Sequence, residues 1–180
     1  MRGKVEETRI NSFLEELRAL AEATKQGCFT AIFGYSFGGL LAALFQERWP
    51  HLVKRVVLLA PAIDNFARNF EGKCEESWHM PSAYVKELEQ LRARPAIRVP
   101  AVLIHGQQDS DDGGSALWRV QEWAEAENFV RCFYPDEGHT TAIVGASGSP
   151  QYSQLATWAR EGNHAVLGEA TAVVGNEDGT

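Results

Sequence analysis

The stretch Thr30–Gly39, TAIFGYSFGG, decides how this chain is read. It begins as an apolar run of strand formers and ends in a turn. Ser36 stands in that turn, with Gly34 two residues before it and Gly38 two residues after. The run that follows, LLAALFQERWP, has a helical pattern and is stopped by Pro50. A strand that turns abruptly into a helix holds the turn residue in a strained backbone conformation and throws its side chain clear of the sheet. Such a turn predicts small residues two positions to either side, where the two backbones nearly touch. Gly34 and Gly38 supply them, and Gly39 adds room. The amide of Phe37 opens the helix, where backbone N–H groups favour negative charge. The plainer reading is a glycine-rich turn that only packs closely or binds a phosphate. The position of the turn between an apolar strand and an apolar helix favours an exposed, rigid hydroxyl beside an oxyanion donor.

A serine hydroxyl needs a base to become a nucleophile, and the base needs an orienting carboxylate. AVLIHGQQDSDD reads as a strand followed by a loop carrying Asp109, and FYPDEGHTT as a strand followed by a loop carrying His139. All three candidates thus follow the carboxyl ends of apolar strands, the edge of a parallel sheet where ligands bind. Asp109 has competitors: Asp111 and Asp112 share its loop, and Asp64 follows the strand that ends at Ala60. Among the other histidines, His105 lies within the strand leading to Asp109, His51 at a helix end, His79 in an irregular stretch and His164 in the tail.

Outward from the turn, the pattern repeats. Residues 5 to 25 carry Ile10, Phe13, Leu14, Leu17 and Ala21 at helical spacing. CFTAIF, VKRVVLLAPA, VPAVLIHG and NFVRCFYP are continuous apolar runs, and helical patterns separate or follow them in LLAALFQERWP, SALWRVQEWAEAE and QYSQLATWAR. Continuous rather than alternating strands, separated by helices, predict a parallel sheet covered on both faces. The expected fold is therefore α/β: a three-layer sandwich of about four mostly parallel strands. Residues 1–162 form the core, residues 62–99 a small cap insertion with a helix over Ser82–Leu91, and residues 163–180 a flexible tail.

The chain has 180 residues, enough for one core, and a formal net charge of −7. That charge argues against nucleic acid and anionic membranes as partners. No run reaches the roughly 18 apolar residues of a membrane span, and the charged start MRGKVEETR lacks a secretory h-region. Cys28, Cys74 and Cys132 have no metal-like spacing and read as reduced thiols, which suits a cytoplasmic protein. Cys28 and Cys132 fall in strand-like runs, where buried free cysteine is common.

GYSFGG at the turn, HGQQD after the penultimate strand and EGH after the last, in the order Ser, Asp, His, resemble the α/β-hydrolase superfamily over roughly residues 6 to 160. The resemblance implies Ser36 as nucleophile, His139 as general base and then acid, Asp109 as its orienting carboxylate, and the Phe37 N–H as one of two oxyanion donors. It implies a serine hydrolase that cleaves a carboxylic ester or thioester and requires no cofactor or metal. It also makes 62–99 the place of a cap, whose Phe66, Phe70, Trp78, Met80, Tyr84 and Leu88 line a pocket or form the cap's own core. The chain departs from the pattern at its front. Strands that precede the first helix in related hydrolases, and the His-Gly stretch that supplies their second oxyanion donor, have no counterpart here. The CFTAIF strand is thereby expected to present an open edge. Three explanations stay open: a shortened product of a longer gene, a homodimer through that edge, or a first helix that covers it. A catalytically weak or inactive remnant that serves as a binding module is the alternative to a hydrolase.

Overall fold

A computed structural model describes residues 10–63, 94–106, 108–109, 117–126, 129–134, 138–139 and 152–167. Most of the expected cap, including the Ser82–Leu91 helix, lies outside the described residues, as do Cys74 and His79. Helix α1 (Ile10–Ala23) leads through a turn at Gly27 to strand β1 (Ile32–Tyr35). Helix α2 (Phe37–Arg48) follows Ser36 directly, and a 3-10 turn (Pro50–Leu52) joins it to β2 (Val56–Leu59). After residues 64–93 come β3 (Ala101–Gly106), α3 (Leu117–Ala126), β4 (Phe129–Tyr134), α4 (Tyr152–Glu161) and a 3-10 turn (His164–Leu167).

The four strands form one sheet in the order β1-β2-β3-β4, every neighbouring pair parallel. Side chains alternate between faces with a two-residue period. Val56, Leu58, Ala101 and Leu103 face α1, α2 and α3 and join Ile10, Leu14, Phe45, Val120 and Trp123 in one core. Val57, Leu59, Val102 and Ile104 face the other way and pack with Leu155, Trp158, Ala159 and Leu167 of α4 and the last turn. The crossover helices α2 and α3 share a face while the strand order runs in one direction, as crossovers of a single hand require. The three-layer α/β reading therefore holds. No helix among the described residues is long and apolar enough to cross a membrane.

The elements differ from expectation in two places, each for a physical reason. The first strand begins at Ile32 rather than Cys28, because Phe29 makes only an isolated bridge to Val53 before the chain settles into the ladder. Cys28 accordingly lies outside the strand, half-buried as a free thiol. The expected tail does not begin at residue 163. His164–Leu167 turn back onto α4, and Leu167 is buried in the second core. Arg55 fastens this end, its guanidinium donating to the carbonyls of Ala159 (2.9 Å) and Arg160 (3.2 Å). Residues 168–180 lie outside the described residues.

The chain that returns from residues 64–93 is held by side chains rather than by a strand. Gln46, fully buried, donates to the Ala96 carbonyl (2.6 Å) and accepts from the Arg98 amide (2.8 Å). Glu47 accepts from the Ala96 amide (2.9 Å), and the Trp123 indole donates to the Pro95 carbonyl (3.0 Å). A buried amide side chain is tolerated in the apolar helix α2 because both ends of its dipole are satisfied.

Candidate active site

Ser36 occupies the single residue between β1 and α2, with φ 52° and ψ −122°. A non-glycine residue at positive φ is strained, and such strain persists only where neighbouring structure over-determines it. Here the Ser36 amide donates to the Leu59 carbonyl (2.9 Å), and its own carbonyl accepts from the amides of Gly39 (2.9 Å), Leu40 (3.3 Å) and Ala62 (3.0 Å). The residue is thus tied to β1, α2 and the chain after β2 at once.

The glycines share the work differently from the symmetric expectation. A Cβ on Gly34 would strike the backbone of Gly38 and come within 2.7 Å of the Gly39 Cα. A Cβ on Gly38, in contrast, would meet nothing within 4 Å. Gly38 therefore contributes backbone, not absence of a side chain. The second position closed to a side chain is Gly39, where a Cβ would lie 2.8 Å from the Pro61 Cβ and 2.9 Å from its Cα. Pro61 reaches that place because β2 ends in Ala60, another non-glycine residue at positive φ (41°).

Asp109 follows β3 in a turn closed by its amide on the Gly106 carbonyl (3.2 Å), and His139 follows β4. The three carboxyl ends bring the side chains into one line. His139 Nδ1 lies 2.8 Å from Asp109 Oδ2, and His139 Nε2 lies 2.9 Å from Ser36 Oγ. A neutral imidazole with its proton on Nδ1 satisfies both contacts: Nδ1–H donates to the carboxylate, and Nε2 accepts from the serine hydroxyl. The Asp109 side chain is wholly buried, whereas that of His139 keeps 19% of its surface exposed. The line therefore runs from a dry carboxylate to a partly solvated imidazole. Asp109 Oδ1 accepts no hydrogen bond among the described residues.

Two neighbours were not expected in these positions. His105, fully buried in β3, brings Nε2 to 3.7 Å from the same Asp109 Oδ2, too long for a hydrogen bond but close enough to be felt electrostatically. Tyr35, the last residue of β1, sets its ring against that of His139, with centroids 5.1 Å apart and planes tilted by 36°. The remaining candidates play no part in this line. His51 is exposed after α2, and His164 accepts from the Trp158 indole N–H (3.2 Å) beside α4. Asp64, Asp111 and Asp112 lie outside the described residues. Phe37 is the first residue of α2, at the end of the helix where backbone N–H groups favour negative charge.

The model of a family described as the alpha/beta hydrolase fold matches residues 2–76. Beyond those residues the parallel sheet continues through β3 and β4, with the strand–Ser36–helix turn at its carboxyl edge. The chain has the α/β-hydrolase fold. Solved structures similar to it include alpha/beta hydrolase domain-containing protein 10 from mouse, at 16% identity and a TM-score of 0.57 over 76% of this chain and 64% of that one. Est1E from Butyrivibrio proteoclasticus, with ferulic acid bound, is similar at 18% identity and a TM-score of 0.60, over 85% of this chain and 67% of that one. Acetyl xylan esterase 1 from Thermoanaerobacterium is similar at 15% identity and a TM-score of 0.54, over 83% and 50%. The α/β-hydrolase fold seen here thus spans less than two thirds of the mouse protein's length. No curated protein sequence matches the chain.

Proposed function

We propose that this α/β-hydrolase-fold chain is a serine hydrolase acting on a carboxylic ester or thioester. The observation that carries the reading is the continuous line Ser36 Oγ–His139 Nε2 (2.9 Å) and His139 Nδ1–Asp109 Oδ2 (2.8 Å), drawn from three different strand ends. Contacts of that length are within the reach proton transfer needs. The ester class is favoured by one of the similar folds, acetyl xylan esterase 1, which is an esterase by name.

In this reading Ser36 Oγ attacks the carbonyl carbon as its proton passes to His139 Nε2. Asp109 holds the Nδ1–H, so the imidazolium that forms stays oriented and is stabilised by an adjacent charge. The Phe37 amide, at the positive end of α2, faces the oxyanion. His139 then returns the proton to the leaving oxygen or sulfur, and the acyl group remains on Ser36. A water activated by the same imidazole releases the acid. These steps need no metal or organic cofactor. Each oxyanion donor is worth on the order of 10² to 10³ in rate.

A fluorophosphonate probe and a short p-nitrophenyl ester test the reading. Wild type is expected to be labelled at Ser36 and to turn over the ester, and Ser36→Ala to lose both. Labelling or turnover that survives in Ser36→Ala removes the assignment. A second reading rests on the outer edge of β1, which no strand meets among the described residues and whose Phe33 is 43% exposed. There the chain is an interaction module in which a second copy pairs along that edge. Ester turnover equal in wild type and Ser36→Ala, together with a dimer in sedimentation, would favour it.

A further inference from the structure

The two contacts of His139 engage different ends of its ring, at Nδ1 (2.8 Å) and Nε2 (2.9 Å). Together with the covalent bond at Cγ they set the ring's mean position, but neither bears on the face of the ring, so they oppose out-of-plane rocking only weakly. A group packed against that face narrows the rocking and steadies the Nε2 lone pair toward Ser36. Resting on the hydrolase reading above, we propose that Tyr35 supplies that restraint and is the positioning residue for the base.

Tyr35 suits the task by place as well as by contact. Its ring lies against the His139 ring at a centroid separation of 5.1 Å, within the 4.5–7 Å over which aromatic pairs attract. The tilt of 36° sets the face of one ring against the other rather than edge to edge. Tyr35 also precedes Ser36 directly, and it closes the β1 ladder opposite Leu59. Nucleophile and wall are therefore consecutive residues of one rigid strand end. Any displacement of Ser36 carries the wall with it, so the Oγ–Nε2 distance is protected against small motions of β1. The face of a phenol ring is also the negative side of its quadrupole, which favours the imidazolium formed when the base takes its proton.

Tyr35 is 38% exposed at the sheet edge, so its role is separable from folding. Tyr35→Leu removes the aromatic face while keeping a bulky apolar side chain, and Tyr35→Phe keeps the face while removing the hydroxyl. Tyr35→Leu is expected to lower kcat on a p-nitrophenyl ester about tenfold, short of the roughly 10²-fold cost of misplacing a reacting group by 1 Å. KM and the thermal midpoint should stay near wild type, and Tyr35→Phe should restore kcat. A loss confined to KM, or equal losses in both variants, would overturn the proposal. The imidazole C–H resonances of His139 give a readout that needs no turnover. The Tyr35 ring current should displace them in wild type and Tyr35→Phe, and Tyr35→Leu should bring them back. Unmoved resonances in Tyr35→Leu reject the stacking itself. Ester turnover equal in wild type and Ser36→Ala rejects the hydrolase reading instead, whatever the resonances do.

Discussion

The two inner strands and β1 are made of similar residues and live in different surroundings. Every residue of β2 and β3 is buried, their side chains divided between the two cores. In β1, Ile32 is half-buried, Gly34 is buried, and Phe33 and Tyr35 are exposed on the face they share with Val57 and Leu59. The backbone tells the same story. Ile32 and Ser36 donate toward β2, so by the period of the strand the amides of Phe33 and Tyr35 point outward. No strand meets them among the described residues. The inner strands supply the cohesion, and the outer one supplies the reactive turn. Strain at Ser36 is affordable because its bonds run inward to Leu59 and Ala62, not outward to the open edge.

That division predicts that the site and the fold fail separately. Asp109→Asn should give the largest effect, a fall in kcat of about 10⁴-fold, because an amide beside Nδ1 selects the wrong imidazole tautomer. Unfolding by urea should change little, since no donor among the described residues meets the carboxylate at Oδ1. Steady-state kinetics beside a denaturation curve check both halves. A loss of stability that tracks the loss of rate would mean that the carboxyl ends of the inner strands cannot be separated from their core.

Stability should follow the strands. Leu58, fully buried in β2 beneath α2, is expected to cost about 2–5 kcal/mol as Leu58→Ala, by lost transfer energy and the cavity left behind. Phe33→Ala on the outer strand removes a larger side chain and should cost under about 1 kcal/mol. Urea midpoints at equal m-values measure the difference. A large cost at Phe33 would show that the exposed face of β1 is covered in solution.

How far these features could be read in advance depends on whether their causes are local. The four strands were legible because buried parallel strands are continuous apolar runs, and Val56–Leu59 and Ala101–Gly106 are such runs. Ser36 was legible as the turn residue, and Asp109 and His139 as loop residues on the same edge, because one parallel sheet orders all three. The rest was set by partners distant in sequence. Gln46 falls in a helical run, and nothing local marks it as buried, because the groups that satisfy it, Ala96 and Arg98, arrive fifty residues later. Leu167 reads as tail until α4 offers it a core. Tyr35 reads as one more strand residue, since only the loop after β4 brings His139 to its face.

The glycines of the turn sharpen the same point at a smaller scale. Gly39→Ala would push a methyl into Pro61 and should cost about 1–3 kcal/mol as the chain after β2 shifts to admit it. Gly38→Ala meets open space in the first turn of α2 and should be neutral or stabilise by up to about 1 kcal/mol, because alanine favours the helix. The symmetric motif predicts the opposite order, so paired denaturation curves decide between a local rule and a contact made by the next strand.

The smallest effect is expected at the edge itself. Phe33→Lys places a charge where a second chain would have to lie, the device by which natural sheets discourage edge pairing. The lysine stem still covers the apolar surface beside Val57, so the fold should lose under about 1 kcal/mol. Ester turnover should stay within about twofold, because the reactive turn hangs on bonds to β2 and not on the edge. If a second copy pairs along β1, sedimentation of wild type should show association that rises with concentration, and Phe33→Lys should weaken it. Wild type that remains monomeric removes the second copy from the edge. Association that survives the lysine moves the contact elsewhere, and the contrast between inner and outer strands would then concern the core alone.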